Sequence, residues 1–183
     1  MCPRRPPDRS MDLSLSYFGD PFLRKATREV SEFGDPLRAW LPRMVEIMRA
    51  EAGVGLAANQ VGLDLCFCIV IANVDEEDRE RDEILLMANP RILEKSRKEV
   101  LIEEGCLSIP GIREDVRRPD RIRVRFHDIE GELRELETGN FLSRVIQHEV
   151  DHLDGLLFVD RLSSAKQALL KKKLAEIREE HSD

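Results

Sequence analysis

The segment His148-Glu149-Val150-Asp151-His152 restricts the fold more than any other part of the chain. Two imidazoles four residues apart lie one turn apart on the same face of a helix, so both can reach one cation. Glu149 points about 100° around that helix, where its carboxylate can accept a proton from a water at the cation. The segment therefore predicts a helix with two metal ligands and a base. The alternative is a helix whose histidines cap or pack locally.

A catalytic metal site of this kind needs a third protein ligand and one open position. The remaining histidines are His127, on a charged strand, and His181, in the C-terminal tail. Cys66 and Cys68 lie in an apolar strand, where we expect them to face opposite sides of the sheet as core residues. Cys106 is the best placed ligand because it lies in a glycine-containing segment, although the same position in a strand also suits a core cysteine.

The spacing of apolar residues predicts both helices and strands. Helices are expected at 36–51, at 140–153 and, at the C-terminus, within 163–183. The glycine-bounded segment 53–62 predicts a loop whose backbone can approach a ligand, and 75–83 predicts an acidic, solvated loop. Strands are expected at 65–72, 84–87, 99–103, 106–109, 121–127, 132–137 and 158–159, with a break at Asn89-Pro90. We therefore expect an α+β fold in which antiparallel sheets pack around a central metal-binding helix, with an N-terminal helix and a C-terminal helix.

Length and charge limit the class of protein. The chain has 183 residues, of which 42% are hydrophobic, so we expect a single catalytic domain over 1–183. Lys and Arg total 29 against 36 Asp and Glu, which leaves a net charge of −7 and predicts no DNA partner. The longest apolar run, 65–72, is too short to cross a bilayer, so we expect no membrane partner.

The cysteine content and the N-terminus predict the compartment. Four cysteines are too few for a disulfide framework. The N-terminus lacks the apolar segment of a secretory signal, so we expect a cytoplasmic protein in which 1–10 form a disordered extension. The alternating basic residues of 121–127 are interpreted as the solvent-facing side of a sheet rather than as a nucleic-acid site.

Three blocks of sequence, taken together, resemble one family. The segments 53–60, 104–108 and 147–152 are similar to the three signature motifs of peptide deformylases, and they occur in the same order. The likeness covers about residues 15–162 and is specific because three independent motifs agree. It implies a hydrolase that removes the formyl group from the N-terminal formyl-methionine of newly made proteins and releases formate.

The resemblance also implies the metal site and the base. Cys106, His148 and His152 would bind one divalent metal ion. Ferrous iron would be the native metal, and zinc, nickel or cobalt would be able to occupy the same ligands. Glu149 would act as general base and then as general acid.

Further residues are implied for the oxyanion and the substrate. The side-chain amide of Gln60 and the backbone N–H of Leu107 would donate hydrogen bonds to the oxyanion. Val54 and Gly55 would line the bound peptide and supply a wall that excludes acyl groups larger than formyl.

The pocket for the methionine side chain is implied at the start of the metal-binding helix. Phe141, Arg144 and Val145 match it, although Arg144 stands where some members have an apolar residue. Glu104 also belongs to the expected substrate site, where the family pairs it with an arginine that corresponds to Arg118 and holds the Cys106 loop. The alternative is that both are ordinary surface charges.

Two other functions remain open from the sequence. A metallo-endoprotease also carries a His-Glu-x-x-His helix, but such enzymes commonly take the third ligand from downstream, where Asp154 and Asp160 are the acidic candidates. A binding module with a structural metal is the second alternative. Neither Glu149 nor Gln60 is needed merely to hold a metal, which favours the enzyme.

The C-terminal helix raises one question about partners. Some members of the family dock a C-terminal helix near the ribosomal exit tunnel, and Lys171-Lys172-Lys173 offers a basic patch. A solvated charged face is the alternative.

Overall fold

The computed structural model describes residues 13–73 and 82–181. The expected disordered extension over 1–10 and most of the expected acidic loop over 75–83 lie outside these residues. The helices are α1 (Asp35–Ala50), α2 (Asn140–Leu153) and α3 (Ser164–Glu180). The strands are β1 (Gly55–Ala57), β2 (Phe67–Asn73), β3 (Glu83–Lys95), β4 (Glu99–Cys106), β5 (Ile109–Pro119), β6 (Arg121–His127) and β7 (Leu133–Gly139).

Two antiparallel sheets surround α2. Five strands form one sheet in the order β1-β2-β3-β6-β7, and β4 and β5 form the other. Side chains alternate between the two faces of β2, so that Ile69 packs in one cluster with Met44 of α1 and Val70 packs in another with Ile146 of α2. The helices α1 and α2 therefore cover opposite faces of the larger sheet. The predicted α+β fold with a central helix is confirmed.

The C-terminal part of the chain packs on the smaller sheet. Leu170 and Ile177 of α3 join a cluster with Val116 of β5. The strand predicted at 158–159 is wrong, because Phe158–Arg161 forms a 3-10 helix in which the Asp160 carboxylate accepts a hydrogen bond from the N–H of Leu157 at 2.8 Å. Among the described residues, no helix is long and apolar enough to cross a membrane.

Three further expectations about strands are corrected. The strand predicted at 106–109 is wrong, because 107–108 form the turn between β4 and β5. Asn89-Pro90 does not break the chain into two strands, because β3 continues through it with a register shift. The side chain of Asn89 pairs with the backbone N–H and C=O of Val30 at 2.8 and 2.9 Å, which stabilises the irregular position. Cys66 and Cys68 do not face opposite sides of the sheet. Both belong to the cluster under α2, Cys68 within β2 and Cys66 directly before this strand.

Candidate active site

The three predicted metal ligands meet where β4 ends beside α2. Cys106 is the last residue of β4, and His148 and His152 lie one turn apart on α2. The Sγ of Cys106 is 3.2 Å from Nε2 of His152. One ligand atom from each of the three residues lies within 4.8 Å of the other two. The local helix geometry therefore brings the imidazoles together, and the pairing of β4 with β5 supplies the sulfur.

The charges around this cluster suit a divalent cation. Burial lowers the pKa of His152 well below its usual range, so its imidazole is neutral and able to act as a ligand. Burial would also lower the pKa of His148, but hydrogen bonds with Cys106 and Glu104 outweigh it and raise that pKa to about 10. Positive charge is therefore favoured beside the sulfur, and imidazole and thiolate donors fit a borderline divalent metal.

Glu104 holds the ring of His148 and is itself held by Arg118. Oε2 of Glu104 lies 3.1 Å from Nδ1 of His148. Arg118 donates to the two carboxylate oxygens at 2.6 and 2.9 Å, so the predicted pair is confirmed and the surface-charge alternative is wrong. Burial would raise the pKa of Glu104, but the hydrogen bonds from His148 and Arg118 lower it to about 2. The carboxylate is therefore ionised at neutral pH and fixes the orientation of the imidazole.

Arg144 lies in the wall of the cavity, and its guanidinium is held by the smaller sheet. The side chain is buried. It donates hydrogen bonds to Glu104 and to the backbone carbonyls of Val116 and Val100, the latter two at 3.0 and 2.9 Å. The polar end of Arg144 therefore contacts the smaller sheet.

Glu149 occupies a buried position beside the cluster. Burial raises its pKa to about 7, despite the opposing positive charges of His148 and Arg118. The backbone of β1 approaches this carboxylate so closely that a Cβ built on Gly55 would lie 2.4 Å from its Oε1. A glycine at this position therefore allows the first strand and the base to be neighbours.

Gln60 follows β1 in a short 3-10 helix and points towards the sulfur. Its Oε1 accepts a hydrogen bond from the N–H of Ala57 at 2.9 Å, and this contact distinguishes the oxygen of the side-chain amide from its nitrogen. Nε2 donates to Oγ of Ser108 at 3.0 Å and lies 3.7 Å from Sγ of Cys106. The amide N–H groups are therefore directed at the metal-ligand cluster, beside the turn that contains Leu107.

A cavity of about 540 Å³ joins these groups. Phe141 is half exposed at its rim, whereas Val145 is buried in its wall. The predicted site residues that line it are Val54, Gly55, Gln60, Glu104, Cys106, Leu107, Phe141, Arg144, Val145, His148 and Glu149. The remaining predicted ligand, His152, is almost completely buried behind them.

Three supporting residues were missed by the sequence analysis. Ser108 holds the Gln60 amide, and Asn59 donates to the backbone carbonyl of His152 at 2.6 Å. Asp151 accepts hydrogen bonds from Arg118 at 2.7 Å. Asp151 lies inside the metal-binding segment, and Asn59 and Ser108 lie inside the other two blocks, so their positions were the available signal.

The origin of the third ligand separates this site from the endoprotease alternative. Within the described residues, the candidate metal group consists of Cys106, His148 and His152, with the cysteine upstream of the helix. Asp160 instead pairs with Arg24 and accepts the N–H of Leu157. The acidic residues downstream of α2 therefore do not complete the cluster.

Comparisons with known proteins agree with this arrangement. Residues 13–168 match the family model described as polypeptide deformylase. The peptide deformylase of Salinibacter ruber is 44% identical over 173 residues, which cover 91% of this chain and 89% of the relative. The crystal structure of peptide deformylase from Plasmodium falciparum has a TM-score of 0.84 at 33% identity and covers 93% of this chain and 100% of that one. For the enzyme of Synechococcus elongatus in complex with actinonin, the TM-score is 0.79 at 36% identity, with 97% and 89% of the chains covered. The chain therefore belongs to the polypeptide deformylase family of enzymes.

Proposed function

We propose that this enzyme hydrolyses the formyl amide of formyl-methionyl peptides, with Glu149 transferring the protons. Its family is metal-dependent and removes N-formyl groups from nascent peptides. The observation that carries the proposal is the meeting of one sulfur, two imidazoles and a buried carboxylate in a single cavity.

The metal would be held by Cys106, His148 and His152. A divalent ion bound there supplies Lewis acidity, which lowers the pKa of a water towards neutrality and polarises the formyl oxygen. We propose Fe²⁺ as the native ion. Zn²⁺, Ni²⁺ and Co²⁺ suit the same sulfur and nitrogen donors.

Glu149 is proposed to move the proton twice. Its carboxylate accepts a proton from the water whose oxygen attacks the formyl carbon. It then gives that proton to the amide nitrogen as the C–N bond breaks, so that formic acid and a free amine leave, and the acid loses its proton to water to become formate. A carboxyl whose pKa is raised to about 7 by burial is suited to both steps at neutral pH.

Gln60 and Leu107 are proposed to stabilise the oxygen of the formyl group as it becomes negatively charged. The orientation of the Gln60 amide is supported by its contacts with Ala57 and Ser108. Loss of one such donor typically costs about 2.7–4 kcal/mol of transition-state stabilisation. Leu107 lies in the turn directly after Cys106 and lines the same cavity as Gln60.

The substrate is proposed to lie between β1 and the start of α2. Gly55 packs so closely on Glu149 and Val145 that an added Cβ would lie 2.4 Å from the first and 2.9 Å from the second. Such a tight wall suits a formyl carbon, which carries only hydrogen, and disfavours an acetyl group. Val54, Val145 and Phe141 supply apolar surface for the methionine side chain.

We also propose cytoplasmic action on nascent chains, with α3 as a contact to the ribosome. Lys171, Lys172 and Lys173 lie on this helix and are exposed, which supports an electrostatic contact with RNA. Ribosome co-sedimentation before and after truncation at Ser163 tests the contact. Undiminished binding of the truncated enzyme contradicts it.

The decisive test of the reaction is formate release from a formyl-Met peptide. We expect Glu149→Ala to lower kcat at least about 100-fold, because the proton acceptor is lost, while one metal ion per chain stays bound. Glu176→Ala on the exposed side of α3 serves as the matched control and should keep wild-type activity. Unchanged turnover of Glu149→Ala would remove the proposed base.

A further inference from the structure

Arg144 connects the metal-binding helix to both strands of the smaller sheet. Arg144 and His148 lie four residues apart on one face of α2, so both reach the same neighbour. That neighbour is Glu104, which accepts a hydrogen bond from Nη1 of Arg144 and faces Nδ1 of His148 at 3.1 Å. Nη1 and Nη2 of Arg144 also donate to the carbonyls of Val116 on β5 and Val100 on β4, at 3.0 and 2.9 Å. One guanidinium therefore links three segments of the chain.

The charged groups of this network are buried and paired. Arg118 and Arg144 are each 4% exposed, Glu104 is 5% exposed and Asp151 is 9% exposed at the side chain. Arg118 contacts both carboxylates, and Arg144 contacts Glu104. Each of these buried charges thus has an oppositely charged partner away from water, where the loss of one partner leaves an uncompensated charge.

The two arginines hold Glu104 in different ways. Arg118 belongs to β5, so its pair with Glu104 of β4 lies within the smaller sheet, and Arg118 itself contacts α2 through Asp151. Arg144 belongs to α2 itself and contacts Glu104 directly, one turn before His148. Arg144 therefore adds a direct contact between the helix and the strand that ends in Cys106, beside the contact of His148 with the same carboxylate.

We propose that Arg144 is a positioning residue for the metal ligands: it fixes the Glu104 carboxylate that orients His148, and it holds β4, with Cys106 at its end, against α2. This inference rests on the proposed function, since it concerns the same metal site. It differs from a substrate contact at Arg144, which would change KM and leave metal affinity untouched.

The test compares metal binding and turnover in Arg144→Met, Arg144→Lys and the wild-type enzyme. The affinity for Co²⁺ is measured by competition with a chelator, and the absorption of the Co²⁺-loaded enzyme reports the sulfur and nitrogen ligands. We expect Arg144→Met to bind Co²⁺ about 10- to 100-fold more weakly and to show an altered spectrum. At saturating metal we expect a lower kcat with little change in KM. Arg144→Lys keeps the charge but has one nitrogen for three acceptors, so its affinity should be intermediate.

The matched control is Arg161→Met. Arg161 also bonds to Asp151, at 3.0 Å from its Nε, but it is 42% exposed and does not contact Glu104. We expect its Co²⁺ affinity to stay within about twofold of the wild-type value, because the Glu104 contacts remain.

Each outcome decides the proposal. If Arg144→Met does not fold, Arg144→Lys carries the test. Wild-type Co²⁺ affinity in whichever Arg144 variant is folded overturns the positioning role, even if that variant unfolds at a lower temperature. A change confined to KM also overturns it in favour of a substrate contact. Failure of the wild-type enzyme to bind Co²⁺ through sulfur or to release formate would instead contradict the proposed function.

Discussion

Arginine and glutamate pair in two regions of this molecule with very different surroundings. Beside the metal ligands, Arg118 and Glu104 are 4% and 5% exposed and form two hydrogen bonds. At the exposed surface of β3, β6 and β7, Arg123 pairs with Glu94 and Glu135, and these three side chains are 39% to 66% exposed. The same chemical groups are desolvated in one region and hydrated in the other.

The difference shows that burial, and not the presence of an ion pair, decides what such a contact does. A buried pair cannot lose one member without leaving a charge that water does not reach. An exposed pair exchanges its contact for water at little cost and is screened by salt. We therefore expect the network at Glu104 to control stability and metal binding. The exposed pairs of Arg123 with Glu94 and Glu135 mainly keep this surface of the sheet hydrophilic.

The strongest test of this contrast is Glu104→Ala. Removing the carboxylate leaves Arg118 and Arg144 facing each other's charge in a buried space and frees the ring of His148. We expect the free energy of unfolding to fall by about 3–5 kcal/mol, measured by urea denaturation of the metal-free protein. A decrease in the free energy of unfolding as small as that expected for an exposed ion pair would show that water enters the network. Burial would then not distinguish the two regions.

Lowering the pH tests the same carboxylate, and the expected loss of stability is of intermediate size. The pKa of Glu104 is about 2 in the folded protein, below the ordinary value of 4.5. Its ionised form therefore contributes stability above pH 4.5, and this contribution is lost as the pH falls from 4.5 towards 2. We expect about 3 kcal/mol of stability to disappear over this range in the metal-free wild-type protein.

The matching control for acid is Glu104→Gln, which has no group to titrate at this position. Its unfolding free energy should depend less on pH between 5 and 2 than that of the wild-type protein. Equal pH dependence of the two proteins would assign the acid sensitivity to other carboxylates.

The smallest effect on stability is expected at the exposed pairs of Arg123. Arg123→Ala removes an exposed partner of Glu94 and Glu135. We expect the melting temperature to change by less than about 2 °C, and by less still in high salt. A large change, or one that salt does not reduce, would show that these exposed ion pairs act cooperatively. The difference between buried and exposed pairs would then be smaller than proposed.

Local patterns predicted those parts of the fold that depend on neighbouring residues. The helix at 140–153 and the strand at 121–127 have the predicted bounds, because apolar residues repeat there at helical and alternating spacing. Asn89-Pro90 was misread as a break, since the pairing of its side chain with Val30 joins residues 59 positions apart. No local pattern reports such a contact.

The same division applies to the active site. The spacing of His148, Glu149 and His152 determined that two imidazoles share a helix face with a carboxylate beside them, because helix geometry is local. The resemblance to a known family supplied Cys106. Only the tertiary structure showed that the guanidinium of Arg144 meets Glu104.

The physical reason is that burial, and the contact of residues that are far apart in the chain, are properties of the folded state. The sequence by itself determined the family and most of the helices and strands, and it predicted the cluster of Cys106, His148 and His152, because these follow from spacing and from motifs. Only the tertiary structure decided which charges are removed from water. Glu104 and Arg144 are 40 positions apart, and they meet because the smaller sheet packs against α2. That packing turns ordinary charged side chains into a buried network around His148.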